Sequence, residues 1–257
     1  MGWFSRWRRA RILGRHAIPH HAFDTAAARL PILHGLDAVE RTRLREHASL
    51  FIHDKTFSAA GGAEVADATR LVIALQACLL TLNLAEDSYR GWSEIILYPD
   101  EFLRQREEVD EAGVVHHSRD ILAGESWHGG PLVLSLADVA GSGQADGVNV
   151  VLHEFAHKLD MLNGDANGFP PLHRGMNATT WSADFSQAYE DFCKRVDAGE
   201  DTAIDPYASY DPAEFFAVLT EVFFETPGVL LDEYPAVYQQ LQQFYRQDPQ
   251  QRRREIA

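Results

Sequence analysis

The amino-acid sequence predicts an α+β fold that is mostly helical with a small mixed sheet. Apolar residues recur at helical spacing over several long stretches. Three short apolar runs, "SEIILYP", "GVVHHSRDIL" and "GPLVLSLADV", are bounded by Gly, Pro or charged residues, as strands commonly are. A chain of 257 residues with 46% hydrophobic and 24% charged residues can bury a sizeable core. These observations favour one large globular unit.

We predict a single domain over residues 21–250, with a basic arm at residues 1–20 and a basic tail at residues 251–257. The stretch "MGWFSRWRRARILGR" is rich in arginine, and so is the tail. Charge runs at chain ends are typical of solvated segments, so we expect both ends to be solvated arms. Interleaved apolar residues such as Trp3 and Trp7 leave open a membrane-surface or partner-docking role for the first arm.

The overall charge and the cysteines exclude several classes of protein. A net charge of −15 argues against direct binding of nucleic acid, which needs clustered Lys and Arg. The basic start lacks the apolar segment of a secretory signal, and the apolar run from Leu71 is interrupted by Gln76 and Asn83, so no transmembrane segment is predicted. Cys78 and Cys193 lie too far apart to form a metal site by themselves. We therefore expect a cytoplasmic protein.

The predicted elements follow one another in a definite order. Residues 24–52 have the pattern of short helices, and residues 63–84 that of one long buried helix. A strand ending at Pro99 comes next, followed by the two other strand candidates. After Gly147 the pattern is helical again through Leu162. The strands therefore lead directly into this last helix.

The helix "VLHEFAHKLDMLNG" carries two histidines on one face. Residues four apart are about 40° apart around a helix, so His153 and His157 can reach the same metal ion. Glu154 lies beside that face, where a general base for an activated water has to be. The alternative is a core helix with two satisfied histidines. However, apolar residues cover most of the rest of this helix and predict that it is buried nearly all round. Buried polar groups need partners, and a metal would provide one for each of these residues.

A catalytic zinc site usually has three protein ligands, so a third ligand is needed. The stretch "YASYDPAEFFAVLTEVFFETPG" predicts a helix with Asp211 as its N-cap and Pro212 at its first position. Glu214 and Glu221 share a face of this helix, and either carboxylate can be the ligand. Alternatively, Glu214 forms a capping box with Asp211 and binds only the N-cap amide.

Three motifs together, "HEFAHKLDMLNGDANG", "YASYDPAEFFAVLTEVFF" and "FYRQDPQQR", resemble the Mlc titration factor A family. These are bacterial zinc peptidases whose core is similar to the catalytic domain of anthrax lethal factor. The match runs from about "ILYPDEF" to the C-terminal tail. The resemblance implies a zincin-like metallopeptidase core of the gluzincin type, with one Zn²⁺ per chain and an edge strand of the sheet beside the active site.

The resemblance also implies roles for individual residues. The zinc ligands would be His153, His157 and Glu214, and the general base would be Glu154. Tyr207 would donate a hydrogen bond to the oxyanion that develops on the substrate. Tyr210 is the competing phenol, and either tyrosine can instead pack at the entry of the helix.

Further residues are expected around these ligands. The resemblance implies that His116 can approach the metal as an inhibitory fourth ligand, although His117 or a plain surface position is an alternative. Asp160 and Glu221 are the candidates for accepting the second N–H of the metal-bound imidazoles. Thermolysin-like enzymes have an aspartate four residues after the third ligand, and Val218 stands there instead. This departure leaves the outer partners open.

Two functions follow as expectations. The first is an aminopeptidase-like zinc metallopeptidase with low intrinsic activity, in which a peptide substrate pairs with the exposed edge of "GPLVLSLADV". That segment can alternatively be a fully buried core strand. The second is a regulatory protein that sequesters the transcriptional repressor Mlc and so affects sugar uptake. This second function is implied by the resemblance alone, and the two functions are compatible.

Overall fold

A computed structural model describes residues 3–60, 65–85, 88–99, 106–109, 115–118 and 130–256, of which residues 3–5, 106–109, 115–118 and 256 are described by their backbone alone. The helices are α1 (Trp3–His16), α2 (His20–Ala27), α3 (Ala38–Asp54), α4 (Asp67–Leu80), α5 (Leu136–Gly141), α6 (Val150–Asp160), α7 (Ala178–Asp197), α8 (Pro212–Glu225), α9 (Pro227–Glu233), α10 (Pro235–Tyr245) and α11 (Pro249–Ile256). The strands are β1 (Thr56–Ala59), β2 (Glu94–Tyr98), β3 (Arg106–Val109), β4 (Val115–Ser118) and β5 (Leu132–Ser135).

The fold is α+β and mostly helical, as predicted, but among the described residues the sheet is parallel and not mixed. Strands β1, β2 and β5 form a parallel three-stranded sheet in the order β1-β2-β5. The antiparallel strands β3 and β4 form a separate two-stranded ribbon instead of extending this sheet. A helix lies between β1 and β2 in the chain, and such crossovers join parallel strands.

Two predicted elements are shorter than the sequence indicated. The strand expected over "GPLVLSLADV" ends at Ser135, whose hydroxyl accepts a hydrogen bond from Asp138 N and caps α5. The rest of that run is therefore helical. The long helix expected over residues 63–84 is α4, which begins at Asp67 and ends at Leu80.

Helices α6 and α8 pack against each other in the interior of the protein. Every residue of α6 from Val151 to Asp160 is buried, which confirms the prediction of a helix buried nearly all round. On one side of α6, the ring of Phe155 packs against Tyr89, Phe51 and Trp92 with centroid separations of 5.1, 5.6 and 5.9 Å. These ring contacts pack α6 against α3 and the segment before β2.

We expected the two basic ends to be solvated arms, but each is a helix that packs one face against the protein, while Arg6, Arg11 and Arg254 stay exposed. Helix α1 lies against α3, where Arg8 pairs with Asp54 at 2.5 Å and Ile12 is buried. At the other end, α11 packs against α9, and Arg252 is buried. At the N-terminal end, apolar residues interleaved among the arginines explain the difference, because they give α1 a face that can be buried.

Within the described ranges, every helix is too short or too polar to cross a lipid bilayer.

Candidate metal centre

Helix α6 presents the two histidines of the predicted motif. The side chain of Asn149 accepts a hydrogen bond from Leu152 N and caps the helix. One turn further, the rings of His153 and His157 lie with their centroids 4.8 Å apart, and their Nε2 atoms are separated by 3.2 Å. Both side chains are buried. The cap and the apolar packing of α6 therefore aim two imidazoles at one point.

Helix α8 presents Glu214 to the same point. Its N-cap is Asp211, as predicted, and the carboxylate accepts hydrogen bonds from Ala213 N and Glu214 N. Glu214 Oε2 lies 2.9 Å from His153 Nε2 and 3.4 Å from His157 Nε2. The carboxylate is thus directed at the histidines and not at the N-cap amide. The capping-box alternative for Glu214 does not describe this structure.

His153, His157 and Glu214 form a group that can hold a metal ion. One ligand atom from each residue lies within 4.8 Å of the other two. Two imidazole nitrogens and one carboxylate oxygen are a donor set typical of catalytic zinc, with a further coordination position left for water or substrate. Side chains 57 and 61 positions apart in the chain therefore meet in one buried cluster.

Glu221 lies behind His153, on the side away from this cluster. Its Oε1 is 2.7 Å from His153 Nδ1, and its Oε2 accepts from Asn149 N at 2.5 Å. A neutral imidazole that donates from Nδ1 carries a lone pair at Nε2. The contact with Glu221 therefore turns the lone pair of His153 toward Glu214 and His157, as a metal ligand requires.

The charges in the cluster fit a cation. Burial by itself would lower the pKa of His153, but hydrogen bonds with Glu214 and Glu221 raise it well above the usual value. Burial would raise the pKa of Glu214, yet hydrogen bonds with His153 and His157 lower it well below the usual range. Among the described residues, Glu214 Oε2 is buried without a well-directed hydrogen-bond donor, despite its short distance to His153 Nε2. A proton on His153 Nε2 could form only one hydrogen bond, to Glu214 or to His157. A divalent cation could bind His153, His157 and Glu214 at the same time.

Asp160 makes contacts different from those predicted. Its Oδ2 accepts from Asn167 N and Gly168 N, each at 2.7 Å, and so fixes the loop after α6. Within the described chain, neither His157 Nδ1 nor Asp160 Oδ1 has a hydrogen-bond partner. Asp160 therefore does not orient the ring of His157 by a hydrogen bond. Backbone amides of the loop after α6 occupy its carboxylate instead.

The other predicted catalytic residues lie beside the cluster. Glu154 is buried on α6, next to His153 in the chain. The ring of Tyr207 lies 6.2 Å from that of His153 and is stacked on Tyr210 at 6.1 Å. Tyr210 is 61% exposed, whereas Tyr207 packs against the core. The ring of Tyr207 therefore lies beside a histidine of the cluster.

His116 is part of β4, where its backbone pairs with Glu108 of β3. Its side chain lies outside the described residues, and so does that of His117. The predicted approach of His116 to the metal stays a prediction.

Sequence reasoning missed a buried polar group next to the cluster. The side-chain nitrogen of Asn149 donates to Gln76 Oε1 and to Glu225 Oε1, each at 2.6 Å. Glu225 is fully buried, and this burial is the main reason that its pKa is raised to about 7, although Asn149 opposes the shift. The signal for Asn149 was present, because Asn immediately before an apolar helical pattern is a common N-cap. No pattern in the sequence pairs it with Gln76 or Glu225.

The raised pKa of Glu225 predicts a pH-dependent stability. An unfolded chain ionises this carboxyl near pH 4.5, whereas the folded protein holds its proton until about pH 7. The stabilisation present below pH 4.5 is therefore lost as the pH rises toward 7. Replacing Glu225 with Gln should remove this loss. The measurement is the free energy of unfolding of both proteins, by chemical denaturation from pH 4.5 to 8. The difference between the variant and the wild type should grow by on the order of 2–3 kcal/mol as the pH rises, and should level off above about pH 7. A constant difference across this range would contradict the assignment.

A family model and individual relatives both match almost the whole chain. Residues 4–246 match the family described as glucose-regulated metallo-peptidase M90. The chain is 41% identical over 237 residues to the Mlc titration factor A of Salmonella arizonae, covering 90% of this chain and 93% of that protein. It is 39% identical over 231 residues to the Mlc titration factor A of Klebsiella pneumoniae, covering 89% of this chain and 87% of that protein.

Proposed function

The chain belongs to the glucose-regulated metallo-peptidase M90 family, and from this premise we propose that it is a zinc-dependent peptidase. The observation that carries the proposal is the convergence of His153, His157 and Glu214, whose ligand atoms lie within 4.8 Å of one another. The H-E-x-x-H sequence on α6 with a downstream glutamate on α8 is the gluzincin pattern. We propose a zincin-like core on the same grounds.

A zinc ion at this site would act as a Lewis acid that activates water and polarises the peptide carbonyl. Glu154 is the proposed general base, because it follows His153 on the same buried helix and its carboxylate can take a proton from the attacking water. Tyr207 is the proposed hydrogen-bond donor to the developing oxyanion, supported by its place beside the ring of His153. Glu221 holds His153 in the tautomer that leaves Nε2 free for the metal.

The peptide substrate is proposed to bind along β5. Among the described residues this strand pairs only with β2. In this proposal its other edge forms backbone hydrogen bonds with an extended peptide. Lys158 of α6 donates from Nζ to the carbonyl of Gly130, just before β5, at 3.1 Å. This contact ties the edge strand to the helix that carries the histidines, which supports the placement of substrate beside the metal.

We further propose that the activity is aminopeptidase-like and low, and that the protein acts in the cytoplasm. These details rest on the resemblance of the motifs to the Mlc titration factor A family. An approach of His116 to the metal would limit the resting activity, because it would occupy the position that water or substrate needs.

A second role is favoured by the relatives, which carry the name Mlc titration factor A. We propose that this chain also binds an Mlc-type transcriptional repressor and thereby influences sugar uptake. The two roles are compatible, since a docking surface and a peptidase site can occupy different parts of one protein. Purified repressor binds the chain in this proposal whether or not the peptidase is active.

Metal analysis tests the peptidase proposal. Purified protein should contain about one zinc per chain, and His153→Ala should contain almost none. A chelator should abolish hydrolysis of a fluorogenic peptide, and added zinc should restore it. Undiminished hydrolysis by the metal-stripped protein would refute the proposal.

A further inference from the structure

Asn149 uses its backbone and its side chain at the same time. Its Oδ1 accepts from Leu152 N at 2.9 Å, and its Nδ2 donates to Gln76 and Glu225 at 2.6 Å each. Its backbone N donates to Glu221 Oε2 at 2.5 Å. The residue is fully buried. It therefore joins the start of α6 to side chains of α4 and α8.

Asn149 is connected to the proposed metal ligand His153 through Glu221. Of the two oxygens of Glu221, one accepts from Asn149 N and the other lies 2.7 Å from His153 Nδ1. A carboxylate held at both oxygens cannot rotate without breaking one of the two contacts. The orientation of the His153 ring thus depends on where the backbone of Asn149 is held.

We propose that Asn149 is a positioning residue for the metal centre and that Glu225 is the buried acceptor that holds the Asn149 side chain in place. Through Glu221, this pair sets the direction of His153 Nε2. The inference rests on the proposed zinc site. It goes beyond the ligands because it assigns roles to Asn149 and Glu225, neither of which contacts the metal in that proposal.

A comparison within the chain separates this role from ordinary helix capping. Asn177 caps α7 by accepting hydrogen bonds from Thr179 N and Thr180 N, and its side chain is exposed. Ser, Thr or Asp would cap either helix about as well. At position 149, however, a buried donor faces two acceptors, and of the good capping residues only Asn provides both a capping oxygen and an N–H donor. The choice of Asn is therefore explained by the contacts with Gln76 and Glu225, and not by the cap.

The variant Asn149→Asp tests the proposal. It keeps a capping oxygen but replaces the Nδ2 donor with an acceptor that faces Glu225 Oε1. We expect the zinc affinity, measured by competition with a chromophoric chelator, to fall about 10- to 100-fold, as is typical when the partner of a metal ligand is disturbed. The matched control Asn177→Asp should bind zinc as the wild type does. Asn149→Ser, which keeps a capping oxygen but replaces the Nδ2 group with a shorter hydroxyl and adds no charge, should also bind zinc more weakly.

Exchanging the amide at position 149 with the carboxylate at position 225 should restore the zinc affinity. When Glu225→Gln is added to Asn149→Asp, the new amide can donate to the new carboxylate, so most of the zinc affinity should return. Unchanged zinc affinity in both Asn149→Asp and Asn149→Ser would overturn the proposal. So would equally weak binding with and without Glu225→Gln. If the wild type itself takes up no zinc, the proposed function fails first, and the two failures are thus distinguishable.

Discussion

Replacing Glu154 with Gln is expected to lower peptide hydrolysis by about 10²- to 10⁴-fold while the protein keeps its zinc. The amide has nearly the same shape as the carboxylate, so the packing of α6 is preserved. It cannot accept the proton of the attacking water, and the base step is therefore lost. The measurement is kcat/KM for a fluorogenic peptide, together with the zinc content of the same sample.

A control and a second readout make this result specific. Glu190→Gln changes an exposed glutamate of α7 and should leave hydrolysis and zinc content unaltered. Glu154→Gln should still bind a purified Mlc-type repressor with wild-type affinity, because that interaction needs no proton transfer. If Glu154→Gln hydrolyses the peptide at the wild-type rate with zinc bound, Glu154 is not the base.

The second large effect is expected at Glu214. The variant Glu214→Gln should lose stoichiometric zinc, because a neutral amide is a far weaker ligand than a carboxylate and the two imidazoles alone do not complete the site. Glu221→Gln should retain zinc but bind it about 10- to 100-fold more weakly, since it disturbs only the partner of His153. Both affinities can be measured by chelator competition.

The comparison of these two variants decides between the two glutamates that share a face of α8. Their contacts differ: Glu214 Oε2 approaches Nε2 of both histidines, whereas Glu221 Oε1 approaches Nδ1 of His153. If Glu221→Gln loses more zinc than Glu214→Gln, the assignment of ligand and outer partner is reversed. The metal would then have to lie on the Nδ1 side of His153.

Much of the local structure was predictable because local signals agree with one another. Asp211 and Pro212 predicted the start of α8, and the structure places the helix there. The apolar pattern around His153 and His157 predicted a helix buried nearly all round. Capping and periodicity act over a few residues, so a single sequence carries enough information to predict them.

Predictions that depended on distant partners were less accurate. The sheet was expected to be mixed, but strand pairing depends on which strands meet, and β3 and β4 pair only with each other among the described strands. The basic ends were expected to be solvated, but Ile12 and Arg252 are buried against the body of the protein. Asp160 was assigned to a histidine, yet two loop amides hold its carboxylate.

The sequence by itself determined the chemistry available: two imidazoles one turn apart, a glutamate beside them and acidic side chains on a second capped helix. Only the tertiary structure decided which of these groups meet. The packing of α6 against α8 turns Glu214 toward the Nε2 atoms and Glu221 toward Nδ1. The physical reason is that a helical pattern specifies which residues share a face, while the depth and rotation at which two helices pack specify which atoms on those faces come within bonding distance.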